Sequence, residues 1–165
     1  MSAPVSTPSL VRRDAPDDVT ARASRVETPL TLDGRLDEAI YARVAPLSDF
    51  IQQEPRQGQP ATEKTEAWIL FDDTNLYISA RMWDSHPERE IANELRRDNG
   101  NILGNENFTF VIDTFHDKRN GYLFQTNPLG ALRDMTVTDD LQNSAWNGIW
   151  YVKTGRFAQG WTMEV

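Results

Sequence analysis

Hydrophobic and polar residues alternate along much of this chain with the two-residue period that turns one side of a β-strand toward a core and the other toward water. In residues 76–83, Leu76, Ile78, Ala80 and Met82 fall on one face and Tyr77, Ser79, Arg81 and Trp83 on the other. A continuous apolar run at 67–71 precedes them across the turn cluster Asp72-Asp73-Thr74-Asn75, so the two segments predict a hairpin. Residues 106–114 set Phe108, Phe110 and Ile112 opposite Asn107, Thr109, Val111 and Asp113, a third strand. The stretch GYLFQTNPLGALRDM then gives two alternating segments around Asn127-Pro128-Leu129-Gly130, with Tyr122, Phe124 and Thr126 opposing Leu123, Gln125 and Asn127. Proline second and glycine fourth suit a type I turn, so residues 131–137 return antiparallel. Residues 150–153 and 161–165 add two strands joined through 155–160.

Elsewhere the period changes or fails. Residues 26–32 alternate before Asp33-Gly34 and predict an edge strand ending in a turn. Leu36, Ile40, Tyr41 and Val44 have helical spacing and predict a short helix over 37–44, capped by Asp33 or Asp37. Residues 50–62 have the Gln, Pro and Gly content of a loop, and 87–97 predict a short helix or an irregular excursion. Strands at hairpin spacing with one or two short helices predict an all-β antiparallel sandwich over 26–165. Residues 161–165 alternate with no turn after them, so the natural protein is expected to continue and the domain to be truncated there. Residues 1–25, rich in Ser, Pro, Ala, Asp and Arg, hold no apolar run long enough for a secretion signal and predict a disordered leader.

Composition narrows the partners. A length of 165 residues suits one domain. A formal net charge of -8 argues against nucleic acid, which needs clustered Lys and Arg to displace counterions. The absence of cysteine excludes disulfides, thiolate catalysis and thiolate zinc sites, and fits either a reducing cytosol or a bacterial envelope protein without bridges. No Gly-x-Ser-x-Gly elbow occurs. Five Trp, four Tyr and seven Phe are many for a mean hydropathy of -0.58, which raises the question of rings that serve a ligand.

The order of the segments LDGRLDEAIY, PATEKTEAWILFDDTNLYISARMWD, RRD, NFTFVIDTFHD, YLFQTNPLGALRD and GWTMEV resembles the carbohydrate-binding family 9-like module, a DOMON-type β-sandwich. It is most similar to the version that opens certain bacterial envelope proteins ahead of a long outer-membrane β-barrel. The resemblance implies a jelly-roll-like or immunoglobulin-like sandwich without catalysis of its own. It also implies a shallow site for a saccharide or envelope glycan, a place in the periplasm or outer membrane, the barrel region of the same protein as a partner, and often a structural calcium. Gln125 and Asn127 occupy the place of a sugar-facing polar pair, Thr109 stands where the family has a carboxylate four positions before Asp113, and Trp83, Trp146 and Trp150 are candidates by type for its sugar-stacking tryptophans.

Saccharides bind through C–H faces laid on aromatic rings and hydroxyls gripped by planar amides, carboxylates and guanidinium groups. Residues two apart on a strand share a face, so Gln125 and Asn127, with Asn107, Thr109, Arg81 and Trp83, suit such a surface or are simply solvated strand positions. Trp146 and Trp150 either pack the end of the sandwich or present a ring, whereas Trp68 and Trp161 sit in apolar runs and belong to the core. Arg96-Arg97-Asp98 is expected to pair internally. Asp113, Asp117, Asp139 and Asp140 offer the hard oxygens calcium prefers, without the spacing of a complete calcium loop. Three functions follow: a non-catalytic saccharide-binding module, an interaction module docking on its own barrel or another protein, and the binding appendage of a glycoside hydrolase.

Overall fold

A computed structural model describes residues 12–15, 18–139 and 141–165, with side chains from residue 20 onward. In chain order the strands are β1 (Arg12–Ala15), β2 (Asp18–Thr20), β3 (Ser24–Arg25), β4 (Thr65–Phe71), β5 (Leu76–Trp83), β6 (Phe108–Ile112), β7 (Asn120–Thr126), β8 (Arg133–Thr138), β9 (Leu141–Asn143), β10 (Lys153–Phe157) and β11 (Gly160–Glu164). One sheet runs β10-β11-β5-β4-β3, the other β6-β7-β8-β9, and β1 pairs with β2 alone. All ladders are antiparallel except the short β3–β4 pair. The chain is therefore an all-β sandwich, and the alternation placed the β4–β5 and β7–β8 hairpins; the strand expected at 150–153 instead runs at Lys153–Phe157, through most of the connection expected at 155–160. Among the described residues no helix is long and apolar enough to cross a membrane.

The first sheet is covered on both faces. Its inner face carries Ala67, Ala80, Trp161 and Met163, against which Phe108 of the second sheet packs. Its outer face carries Trp68, Leu70 and Tyr77, covered by Val26, Leu30, Leu32, Leu36, Ile40, Tyr41 and Val44. Residues 26–32 consequently form no strand. Their apolar side chains lie across the sheet instead of beside it, and only the Val26 N–H still donates to an edge carbonyl, Phe71 O, at 2.8 Å. The expected leader reaches the sheet too, since Ser24 and Arg25 pair with Leu70 and Phe71, while residues 1–11 lie outside the described residues.

The predicted helix is one turn, α1 (Ala39–Arg43), and begins at Glu38 with no side-chain cap. Asp33 is unavailable as a cap because its Oδ1 accepts the Arg35 N–H at 2.8 Å. The 87–97 excursion contains a single 3-10 turn at Pro87–Arg89 and is otherwise irregular. The Asn127–Gly130 turn closes as expected, with the Gly130 N–H donating to Asn127 O at 2.9 Å.

What fixes the covering segment is a clasp between the Asp33–Gly34 turn and β11. The N–H groups of Gly34 and Asp33 donate to Glu164 Oε2 at 2.8 and 3.0 Å, and the Tyr41 hydroxyl donates to Oε1 at 2.9 Å. With its one proton committed, Tyr41 accepts from Ser79 Oγ at 2.8 Å. Thr162 Oγ1 donates to Gly34 O at 2.6 Å. This backbone-on-backbone approach demands glycine on both sides: Gly34 has φ of 84°, and a Cβ at Gly155 would lie 2.3 Å from Gly34 O. Burial pushes the Glu164 carboxyl above the ordinary value, and the nearby charge of Glu38 adds to the rise.

Candidate ligand-binding groove

The amide pair beside the Asn127–Gly130 turn is interior. Gln125 is 2% exposed and Asn127 fully buried, which overturns the expectation that they face a ligand. The strand period did put them on one face, but residues 93–107 lie over that end of the sheet. Asn127 Nδ2 donates to Glu94 O at 2.7 Å and to Asn105 Oδ1 at 2.9 Å, and its Oδ1 accepts the N–H groups of Leu129 and Ala131, both at 3.1 Å. Every bond an amide side chain can make is thus taken by the scaffold. Gln125 Nε2 donates to Asn107 Oδ1 at 2.8 Å and its Oε1 accepts from Arg133 Nη1 at 2.7 Å. Asn107 is held between Gln125 and Asn105 O, and Thr109 Oγ1 donates to Asn107 Oδ1 at 3.3 Å, so these two exposed residues extend the same structural ladder.

Trp146 and Trp150 pack the second sheet. Trp146 lies 4.9 Å from the ring of Tyr122 and Trp150 5.3 Å from Phe124. The Trp150 Nε1–H donates to Oδ1 of fully buried Asp134 at 3.2 Å, joined there by Arg97 Nη2 at 2.5 Å, while Gly148 N–H donates to Oδ2 at 2.5 Å. Arg97 also contacts Asp98 Oδ2 at 3.2 Å, and Arg96 pairs with Glu94 at 2.8 Å, holding that carboxyl down to about 2. The internal pairing expected of this Arg-Arg-Asp run is what the fold contains.

The acidic turns are occupied by their own loops. Asp113 accepts the N–H groups of Phe115 and Lys118 at 3.0 and 2.7 Å, and Asp117 accepts the Asn120 Nδ2–H at 2.7 Å and the N–H groups of Asn120 and Arg119 at 2.8 and 2.9 Å. These donors hold both carboxyls below the usual range. Asp139 is gripped by Arg119 through Nε and Nη2 at 2.7 and 2.9 Å, and Asp140 lies outside the described residues. Among the described residues no three His, Asp or Glu side chains converge as a metal site.

Arg81 and Trp83 are different. Both line a groove of about 670 Å³ at the uncovered end of the outer face of the first sheet, with Asp33, Gly34, Arg35 and Leu36 on one side and Gly155, Phe157, Gln159 and Thr162 beneath. Strand alternation aims Arg81 and Trp83 outward together, opposite Thr162 and Gly160 in register. The Arg81 guanidinium sits between two indoles, 5.9 Å from the ring centre of Trp68 and 5.7 Å from that of Trp83, a placement cation–π attraction stabilises by about 0.5–2 kcal/mol. Its polar contacts are long: Leu36 O at 3.5 Å and Glu66 Oε2 at 3.8 Å. Glu66 is meanwhile engaged by Lys64 at 2.7 Å, whose Nζ lies 4.2 Å from the Trp83 ring centre. Phe157 meets Trp83 edge-on at 5.6 Å. Arg156 also lines the groove, but it is opposite Trp161 in register and its guanidinium is taken by Glu90 at 2.7 Å.

Arg35, Phe157 and the glycine floor escaped sequence reasoning. The signals were present: Asp33-Gly34 ahead of Arg35, and a lone glycine inside a strand, which marks close approach by another backbone. No protein-family model matches the chain, and a search among curated proteins finds no relative.

Proposed function

We propose that the chain is a non-catalytic saccharide-binding module of a larger bacterial envelope protein, and that its ligand lies in the Arg81–Trp83 groove. The order of segments resembling the carbohydrate-binding family 9-like module supports the class and the setting. The observation that carries the site is a guanidinium within 6 Å of two indole ring centres with most of its five donors uncommitted. A planar guanidinium held near two rings presents its donor fork to hydroxyls, and the wall of Trp83 and Phe157 offers apolar surface to the C–H face of a sugar ring.

The test is titration of the purified domain with mono- and oligosaccharides while Trp fluorescence is followed. Saturable change at millimolar sugar that disappears in Trp83→Ala, with the far-UV spectrum intact, is the expected result. A flat response in the folded wild type removes the proposal.

One feature favours a second reading, an interaction module docking on its own barrel or another protein. Leu141, Ile149 and Tyr151 are 75%, 92% and 71% exposed on or beside the segment that Asp134 fastens. If that segment is an interface, Ile149→Asp with Tyr151→Asp disrupts docking and leaves sugar titration unchanged.

A further inference from the structure

From the charge of the groove we infer that its ligand is an acidic saccharide, a sugar ring bearing a carboxylate, bound with its carboxylate on Arg81 and Arg35 and its ring against Trp83 and Phe157. This inference rests on the saccharide reading above and adds the chemical class.

The chain as a whole is acidic, with a formal net charge of -8, yet this groove runs the other way. Of its lining side chains only Asp33 carries negative charge, and its Oδ1 is turned to the Arg35 N–H at 2.8 Å. Glu66, the acid nearest Arg81, is closer to Lys64, 2.7 against 3.8 Å, and therefore neutralises the lysine before the arginine. Among the described residues the Arg35 side chain makes no hydrogen bond or ion pair. Two guanidinium groups thus border one cavity with little carboxylate to satisfy them, where other arginines of the domain are closely paired: Arg96 with Glu94 at 2.8 Å, Arg119 with Asp139 at 2.7 Å and Arg156 with Glu90 at 2.7 Å.

An incoming carboxylate supplies what is missing. Its two oxygens match the fork of a guanidinium, and charge-assisted bonds of this kind are about twice as strong as neutral ones. A volume near 670 Å³ is far more than a bare anion fills, and the flanking Trp83 and Phe157 rings suit a ring-bearing acid over inorganic phosphate or acetate.

Calorimetric titration of the whole chain with glucuronate, its methyl ester, glucose, acetate and inorganic phosphate tests this. Glucuronate is expected to bind at least about tenfold more tightly than the methyl ester or glucose, a difference of about 1.4 kcal/mol. The advantage should shrink at 1 M salt, where screening acts within about 3 Å. Arg81→Lys, which keeps the charge and loses the fork, and Arg35→Ala should each weaken glucuronate by a larger factor than glucose, and so reduce the acid's advantage. Equal binding of glucose and glucuronate overturns the inference and leaves the saccharide reading standing. Acetate or phosphate binding as tightly as glucuronate overturns it also, because the ring would then contribute nothing. Absence of binding by every sugar removes both.

Discussion

Two clusters of amide and guanidinium groups sit on this sandwich, and they differ in whether their donors and acceptors are spent. At the Asn127–Gly130 turn, Asn127 and Gln125 are buried and each polar atom has a protein partner at 2.7 to 3.1 Å. In the groove, Arg81 has only polar contacts of 3.5 and 3.8 Å, and its guanidinium lies 5.9 and 5.7 Å from two indole ring centres. A saturated cluster cannot grip a ligand without dismantling the turn it builds. An unsaturated one can. Unspent hydrogen-bonding capacity therefore separates a binding candidate from scaffold, and residue type does not.

That contrast can be broken most sharply at the glycine floor shared by clasp and groove. Gly155→Ala places a methyl 2.3 Å from Gly34 O, backbone against backbone, and should cost at least about 3 kcal/mol in urea unfolding. A loss below about 1 kcal/mol would mean the 33–36 segment is not held as described. Asn127→Ala comes next. It leaves the N–H groups of Leu129 and Ala131 and the Glu94 carbonyl unmatched, Asn105 Oδ1 keeping the N–H groups of Asn93 and Glu94, and a loss of about 3 kcal/mol is expected by the same measurement.

Glu164 gives a smaller, pH-dependent effect. Its folded carboxyl titrates above the ordinary value near 4.5, so the native state holds the proton more tightly than the unfolded chain. Its contribution is fully present below 4.5 and is lost as pH rises through the folded value. Glu164→Gln keeps an acceptor for Gly34 and can donate to Tyr41, so it should flatten this decline, which stability measured at pH 4 and pH 8 reports. Identical slopes in both proteins would assign the dependence elsewhere. Smallest of all, Arg35→Ala should shift stability by no more than about 0.5 kcal/mol, as befits an exposed side chain with nothing to lose in the unliganded fold.

Much of the sandwich was legible because a half-buried strand writes its period directly into the chain. Phe108, Phe110 and Ile112 against Asn107, Thr109 and Val111 named both the strand and its faces, and Trp68 and Trp161 went to the core, 3% and 2% exposed. The same period is silent about a third layer. Gln125 and Asn127 were assigned to the right face, yet nothing in their spacing says that residues 93–107 fold over it. Glu164 likewise alternates like a solvated residue, and its burial depends on two N–H groups about 130 residues away. Residues 26–32 mimic an edge strand because a segment that lies flat on a sheet also needs apolar side chains on one side.

The Glu164 clasp also sets an order in time. Gly34 and its partner are separated by 130 positions. Loop closure over such a span is slow, so during synthesis residues 26–44 can settle on β4 and β5 while the Asp33–Gly34 turn still lacks its Glu164 partner. Only when β11 is made do the N–H groups of Asp33 and Gly34 meet the carboxylate that receives them, so this contact closes after the hairpin beneath it.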